Sequence, residues 1–163
     1  MKRWLLFCFC AAVFCSCGHR ERFPDEPAIE FVRLEKVDNG TNVDNQANLV
    51  VHFQDGDGDV GLDEEDTVGV FAPDSAYYYN FFIDFYEKQN GNWVLVDLPM
   101  PLHARIPRLS DNLPESIEGE ISILTYINNI FSPYDTIKLQ CRLVDRALHE
   151  SNVIETPEIL VKK

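Results

Sequence analysis

Residues 81–98 read FFIDFYEKQNGNWVLVDL, and this stretch decides the fold class. Phe81, Ile83 and Phe85 share one phase of a two-residue alternation, with Phe82, Asp84 and Tyr86 on the other; that period belongs to a strand, whose successive side chains point to opposite faces. Asn90-Gly91 separates the run from Trp93 and Leu95 in a second apolar segment. Asn-Gly adopts two successive positive φ angles at little cost, so the pair predicts a two-residue hairpin.

Working outward, the same period recurs. Ile29 and Phe31 alternate with Glu30 and Val32, with Arg33 a candidate to extend the inward phase, and Asn39-Gly40 closes that segment. Leu49, Val51 and Phe53 share a phase against Val50, His52 and Gln54; Ile117, Gly119, Ile121 and Ile123 form another, and Ile137, Leu139, Cys141 and Leu143 a further one. Val153-Ile154 and Ile159 to Val161 end the chain. No window carries a clear 3.6-residue apolar stripe, although 122–129 is ambiguous. About seven strands at this spacing predict an all-β, immunoglobulin-like or fibronectin-like sandwich. Residues 133–136 lead into the last strands, with 145–152 as the loop between them; Tyr134 is either a tyrosine corner or an ordinary loop tyrosine.

The N-terminus reads differently. Lys2 and Arg3 precede an apolar run from Trp4 to Cys15, the charged and hydrophobic regions of a secretory signal peptide. A permanent membrane helix needs about 20 apolar residues, more than this run holds. Phe14-Cys15-Ser16-Cys17 resembles the lipobox of bacterial lipoproteins, with Phe14 and Cys15 replacing the usual residues and the small Ser16 before Cys17. Residues 1–16 are therefore read as signal peptide, Cys17 as the lipidated residue, 17–27 as a polar, Pro-containing tether and 28–163 as one domain. An ordinary cleaved signal peptide is the alternative. A multiply acylated cysteine anchors stably where a single chain does not, so the expected location is the cell envelope, at the outer membrane, facing the periplasm or the surface.

Charge and cysteine content narrow the function. The chain has a net charge of −13, and removing Lys2 and Arg3 with the signal takes the mature protein to −15. Such a surface repels phosphate backbones, which excludes nucleic acid as an expected partner. Of five cysteines only Cys141 falls in the domain, so no internal disulfide can form and Cys141 is read as buried and inert. Stability must come from the core, from a bound ion, or from both.

The most informative chemistry lies in residues 54–67, QDGDGDVGLDEEDT. Asp55, Asp57 and Asp59 alternate with Gly56 and Gly58, which let the backbone turn tightly enough for three carboxylates to converge. Converging carboxylates repel unless a cation neutralises them, and Ca²⁺ accepts 6–8 oxygen ligands in flexible geometry. Asp63 and Asp66, with Glu64 and Glu65, are candidates to complete the shell. An EF-hand is rejected: its sixth position is Val60 instead of glycine, its twelfth is Asp66 instead of glutamate, and the flanks read as strand. The competing reading is an acidic connection between strands that binds nothing.

Other candidates are weaker. Tyr77, Tyr78 and Tyr79, with Phe71 upstream, would suit a stacking platform for a glycan or a docking surface for a protein, or else belong to the core. His103, Arg105 and Arg108 form a rare basic island that meets either an acidic partner or the protein's own carboxylates. Asp145 and Arg146 suggest a salt bridge that fixes a loop. The histidines lack zinc-type spacing, and no nucleophile elbow or phosphate loop occurs. The expected role is a binding or accessory module for an unknown protein or glycan, without enzymatic activity. A secreted, carboxylate-dependent hydrolase acting on glycans is the alternative.

Taken together, IEFVRLEKV, LVVHFQDGDGDVGL, IPRL, IEGEI, YDTIKL and DRALHESNVIETPEI behind a lipobox resemble a family of uncharacterised lipoproteins from Gram-negative anaerobes. The resemblance spans nearly the whole mature chain and implies an outer-membrane or surface lipoprotein with an immunoglobulin-like fold. It implies no activity.

Overall fold

A computed structural model describes residues 23–111 and 114–163. The signal segment, Cys17 and residues 17–22 of the tether lie outside them. Eight strands follow in order: β1 Ala28–Lys36, β2 Gln46–Asp55, β3 Phe81–Gln89, β4 Asn92–Leu95, β5 Ile117–Tyr126, β6 Thr136–Leu143, β7 Ile154–Glu155 and β8 Ile159–Leu160. One antiparallel sheet has the order β1-β2-β5; the other has β4-β3-β6-β7, with β8 also paired to β6. This is an immunoglobulin-like, fibronectin-like sandwich. Among the described residues there is no α-helix, and the ambiguous stretch 122–129 continues β5 as strand to Tyr126.

The hairpin forms at Asn90-Gly91, with φ of 51° and 86° and Gln89 paired to Asn92. Ile83, Phe85, Leu139, Cys141 and Leu143 from one sheet meet Leu49, Val51, Phe53, Ile121 and Ile123 from the other, all buried. Each large apolar side chain so buried stabilises the fold by roughly 1.5–3 kcal/mol. Burial also pushes the Cys141 thiol up to about 12, so it stays protonated and unreactive.

Two irregularities change the phase read from sequence. In β1, Phe31 pairs with Val51 but Arg33 pairs with Val50; Val32 is the extra residue of a bulge, which turns Arg33 outward and Leu34 inward. At the end of the chain, Cys141 pairs with Ile154 but Ile137 pairs with Ile159, a one-residue slip at Pro157 that splits the final run into β7 and β8. Proline has no N–H to give a ladder. Thr156 bridges the break, accepting from the Leu139 amide through Oγ1 at 3.0 Å and donating its own amide to Leu139 O at 2.9 Å.

The antiparallel strands place the loops at two poles. The start of β1, the 55–62 loop and the 145–150 loop share one pole, while 37–45 and 127–135 share the other. The Tyr134 hydroxyl accepts from the Asn90 side chain at 3.5 Å, and among the described residues it donates to no backbone carbonyl, so it is an ordinary loop tyrosine instead of a tyrosine corner.

Candidate metal centre

Ala47, Leu49, Val51 and Phe53 form the inward phase of β2, and the next residue in that phase is Asp55. A carboxylate therefore stands where four apolar residues precede it, with 0% exposure. Beyond the strand, Gly58 at φ +78° lets the backbone reverse, a conformation costly for a residue with a Cβ. The reversal brings Asp55, Asp57 and Asp59 together, with one oxygen from each within 4.8 Å of the others.

Four of the six carboxylate oxygens of this cluster are buried without a protein partner. Both oxygens of Asp55, and Oδ1 of Asp57 and of Asp59, are buried without a hydrogen bond; Asp59 Oδ2 accepts from the Ala147 amide at 3.0 Å. Burial foremost, then the charges of Asp57 and Asp59, push Asp55 up to about 7; the nearby Val60 amide, which makes no hydrogen bond to it, offsets only part. Burial, Asp145 and Asp57 likewise push Asp59 up to about 6. An all-oxygen set of this charge suits a hard divalent cation of Ca²⁺ type. A buried carboxylate without hydrogen bonds is costly unless such an ion occupies the gap.

Asp145 adds a fourth negative group from the 145–150 loop. Its Oδ1 accepts from the His149 amide at 2.8 Å and its Oδ2 lies 2.9 Å from His149 Nδ1. The neighbouring Asn152 bonds both backbone groups of Ile29, accepting from its amide at 2.8 Å and donating to its carbonyl at 2.9 Å. That clamp fastens the 145–152 loop to the start of β1. Gly56 sits under the incoming chain: a Cβ there would meet Phe23 O at 2.3 Å. The carboxylates thus lie at the pole where residues 23–27 lead into β1.

Asp63 and Asp66, expected in the shell, turn instead to arginines. Arg146 Nη1 bonds Asp63 at 2.9 Å and Asp66 at 2.6 Å, and Arg108 bonds Asp63 at 3.1 Å. Each guanidinium offers donors that a metal does not, and the pairs draw both carboxylates away from the Asp55 cluster. Glu64 and Glu65 are exposed.

The basic island also turns inward. Arg105 donates to the carbonyls of Tyr78, Asp63 and Asp66 at 2.7, 2.9 and 2.8 Å and lies over the Tyr78 ring. His103 Nδ1 accepts from the Ile83 amide at 3.1 Å, and burial lowers its pKa, so it is neutral at pH 7. Tyr77 and Tyr78 are half-buried in the loop that Arg105 holds. These residues fasten the long connection between β2 and β3. Sequence reasoning read Asp55 as a loop ligand and overlooked its inward phase; Asn152 carried no local signal, because its partner is 123 residues away.

No protein-family model, curated protein or solved structure matches the chain.

Proposed function

We propose that the protein is a lipid-anchored, extracytoplasmic binding or accessory module stabilised by Ca²⁺ held between Asp55, Asp57 and Asp59. The carrying observation is the Asp55 carboxylate, fully buried and without a hydrogen-bond partner while facing two further carboxylates. A bound cation would satisfy these oxygens and cancel their repulsion. It would also stiffen the loop on which Phe23 rests. The signal peptide, the lipobox-like Cys17 and the polar tether support attachment to the envelope, and the resemblance to Gram-negative lipoproteins supports the outer membrane.

Calcium titration of residues 19–163 by calorimetry and thermal melting tests the metal reading. The expected outcome is saturable heat and a melting rise, both lost when Asp55, Asp57 and Asp59 are changed to alanine. No heat and an unchanged melt at millimolar calcium would overturn it. Metabolic labelling with a fatty acid, lost in Cys17→Ala, tests the anchor.

A further inference from the structure

At the pole opposite the carboxylates, a groove of about 610 Å³ runs between the end of β5 and residues 98–103. A quarter of the chain is charged, yet none of the sixteen residues lining this groove is Asp, Glu, Lys or Arg. Its one histidine, His103, is the neutral acceptor of the Ile83 amide. Met100, Leu124, Tyr126, Ile130 and Phe131 surround it and are each more than half exposed. Clustered apolar exposure of this kind marks an interaction site when it is rimmed by polar groups.

Two features identify the kind of occupant. β5 is the outer strand of its sheet, and among the described residues nothing pairs with its second edge. Exposed strand edges are usually blunted by charge. Here Glu118 and Glu120 blunt the first half, where they also meet Gln54 and Arg33, whereas Ser122, Leu124 and Tyr126 leave the second half uncharged. Secondly, Thr125 Oγ1 and Asn128 Oδ1 are buried in the groove without hydrogen bonds. Thr125 is 3% exposed, so its hydroxyl waits for a polar group inserted from outside.

We infer that this groove docks an extended, uncharged segment of another protein, which adds as a strand to the second half of β5 and sets apolar side chains among Leu124, Ile130 and Phe131. Main-chain hydrogen bonds to a free edge supply affinity, and alternate side chains in pockets supply selectivity. The lack of lining charge excludes charged side chains, which would be desolvated without a partner. Seven residues of β5, 117–123, separate the groove from the pole of the carboxylates, roughly 23 Å at about 3.3 Å each. The inference does not depend on calcium.

Selection of a random ten-residue peptide library displayed on phage, against the immobilised full chain, tests it. The expected result is enrichment of uncharged sequences with apolar residues at every second position. A synthetic peptide of the selected sequence should lose at least tenfold in affinity to Leu124→Lys or Ile130→Lys, and as much when its alternate amides are N-methylated. Val94→Lys, an exposed change on the other sheet, should leave binding unchanged and controls for folding and charge. Failure to enrich any peptide, enrichment of charged peptides, or binding indifferent to both groove variants and to N-methylation would overturn the proposal. So would binding of neutral oligosaccharides that Leu124→Lys abolishes while no peptide binds.

Discussion

Asp55→Asn keeps the shape of the side chain and removes its charge, and its consequences differ in sign with and without calcium. Without the ion, the folded chain holds the Asp55 proton to about pH 7, whereas the unfolded chain releases it near the ordinary carboxylate value of 3.8. Between these values the folded state binds more protons than the unfolded state, so stability falls as pH rises, and above about 7 the loss is complete. At about 1.4 kcal/mol for each tenfold change in proton affinity, the ceiling is about 4 kcal/mol. Solvent reaching the half-buried Asp57 and Asp59 screens the repulsion, and about 2 kcal/mol is the working figure. In EDTA at pH 8 the variant should therefore melt above the parent protein by about 6 °C, at roughly 3 °C per kcal/mol for a domain of this size. The gain should vanish near pH 4. The amide introduced faces the unpartnered oxygens of Asp57 and Asp59, so its donors find acceptors. With saturating calcium the order should reverse, because on the proposed reading the parent gains the ion and the variant loses a ligand. Melting curves at pH 4, 6 and 8, each in EDTA and in calcium, measure all of this. A variant that melts below the parent in EDTA at pH 8, or that keeps the parent's full calcium rise, would refute the reasoning.

Three further outcomes are expected. Glu87 is buried on the inward phase of β3, where its carboxyl oxygens accept from Asn129, Ser132 and Gln89; Glu87→Ala should cost about 3 kcal/mol in urea unfolding by leaving those donors unpaired. Gly61→Ala should lower the melting temperature sharply, since φ is +102° and the new Cβ would meet Pro107 O at 2.2 Å, whereas Gly40→Ala, with open space around it, should cost only about 1 kcal/mol. NMR titration of His149 should give a midpoint above 6.5, because the adjacent Asp145 carboxylate favours the charged ring; the ring's contribution to stability is present on the acid side and lost as pH rises through that midpoint. An ordinary midpoint would show that the Asp145–His149 pair does not persist in solution.

Sequence alone determined the parts of this protein that depend on local periodicity. Alternation in 81–89 and 136–143 specified strands because one face of each must be buried. Asn90-Gly91 specified its turn because the backbone there requires two positive φ angles, and the spacing of Asp55, Asp57 and Asp59 specified a carboxylate cluster because glycine separates them. Tertiary structure decided what those carboxylates meet. Asp63 and Asp66 look identical in kind to Asp55, but Arg108 and Arg146, 45 and 83 residues from Asp63, claim them. Asp55 has no such partner because β2 carries it into the sandwich, where the charged groups acting on it are Asp57, Asp59 and Asp145. The groove beside β5 was invisible for the same reason: Leu124, Ile130 and Met100 become one surface only when two sheets and a crossing segment fix their separation. Periodicity reports which face of an element is apolar; pairing between distant elements decides whether a given charge or apolar residue is covered.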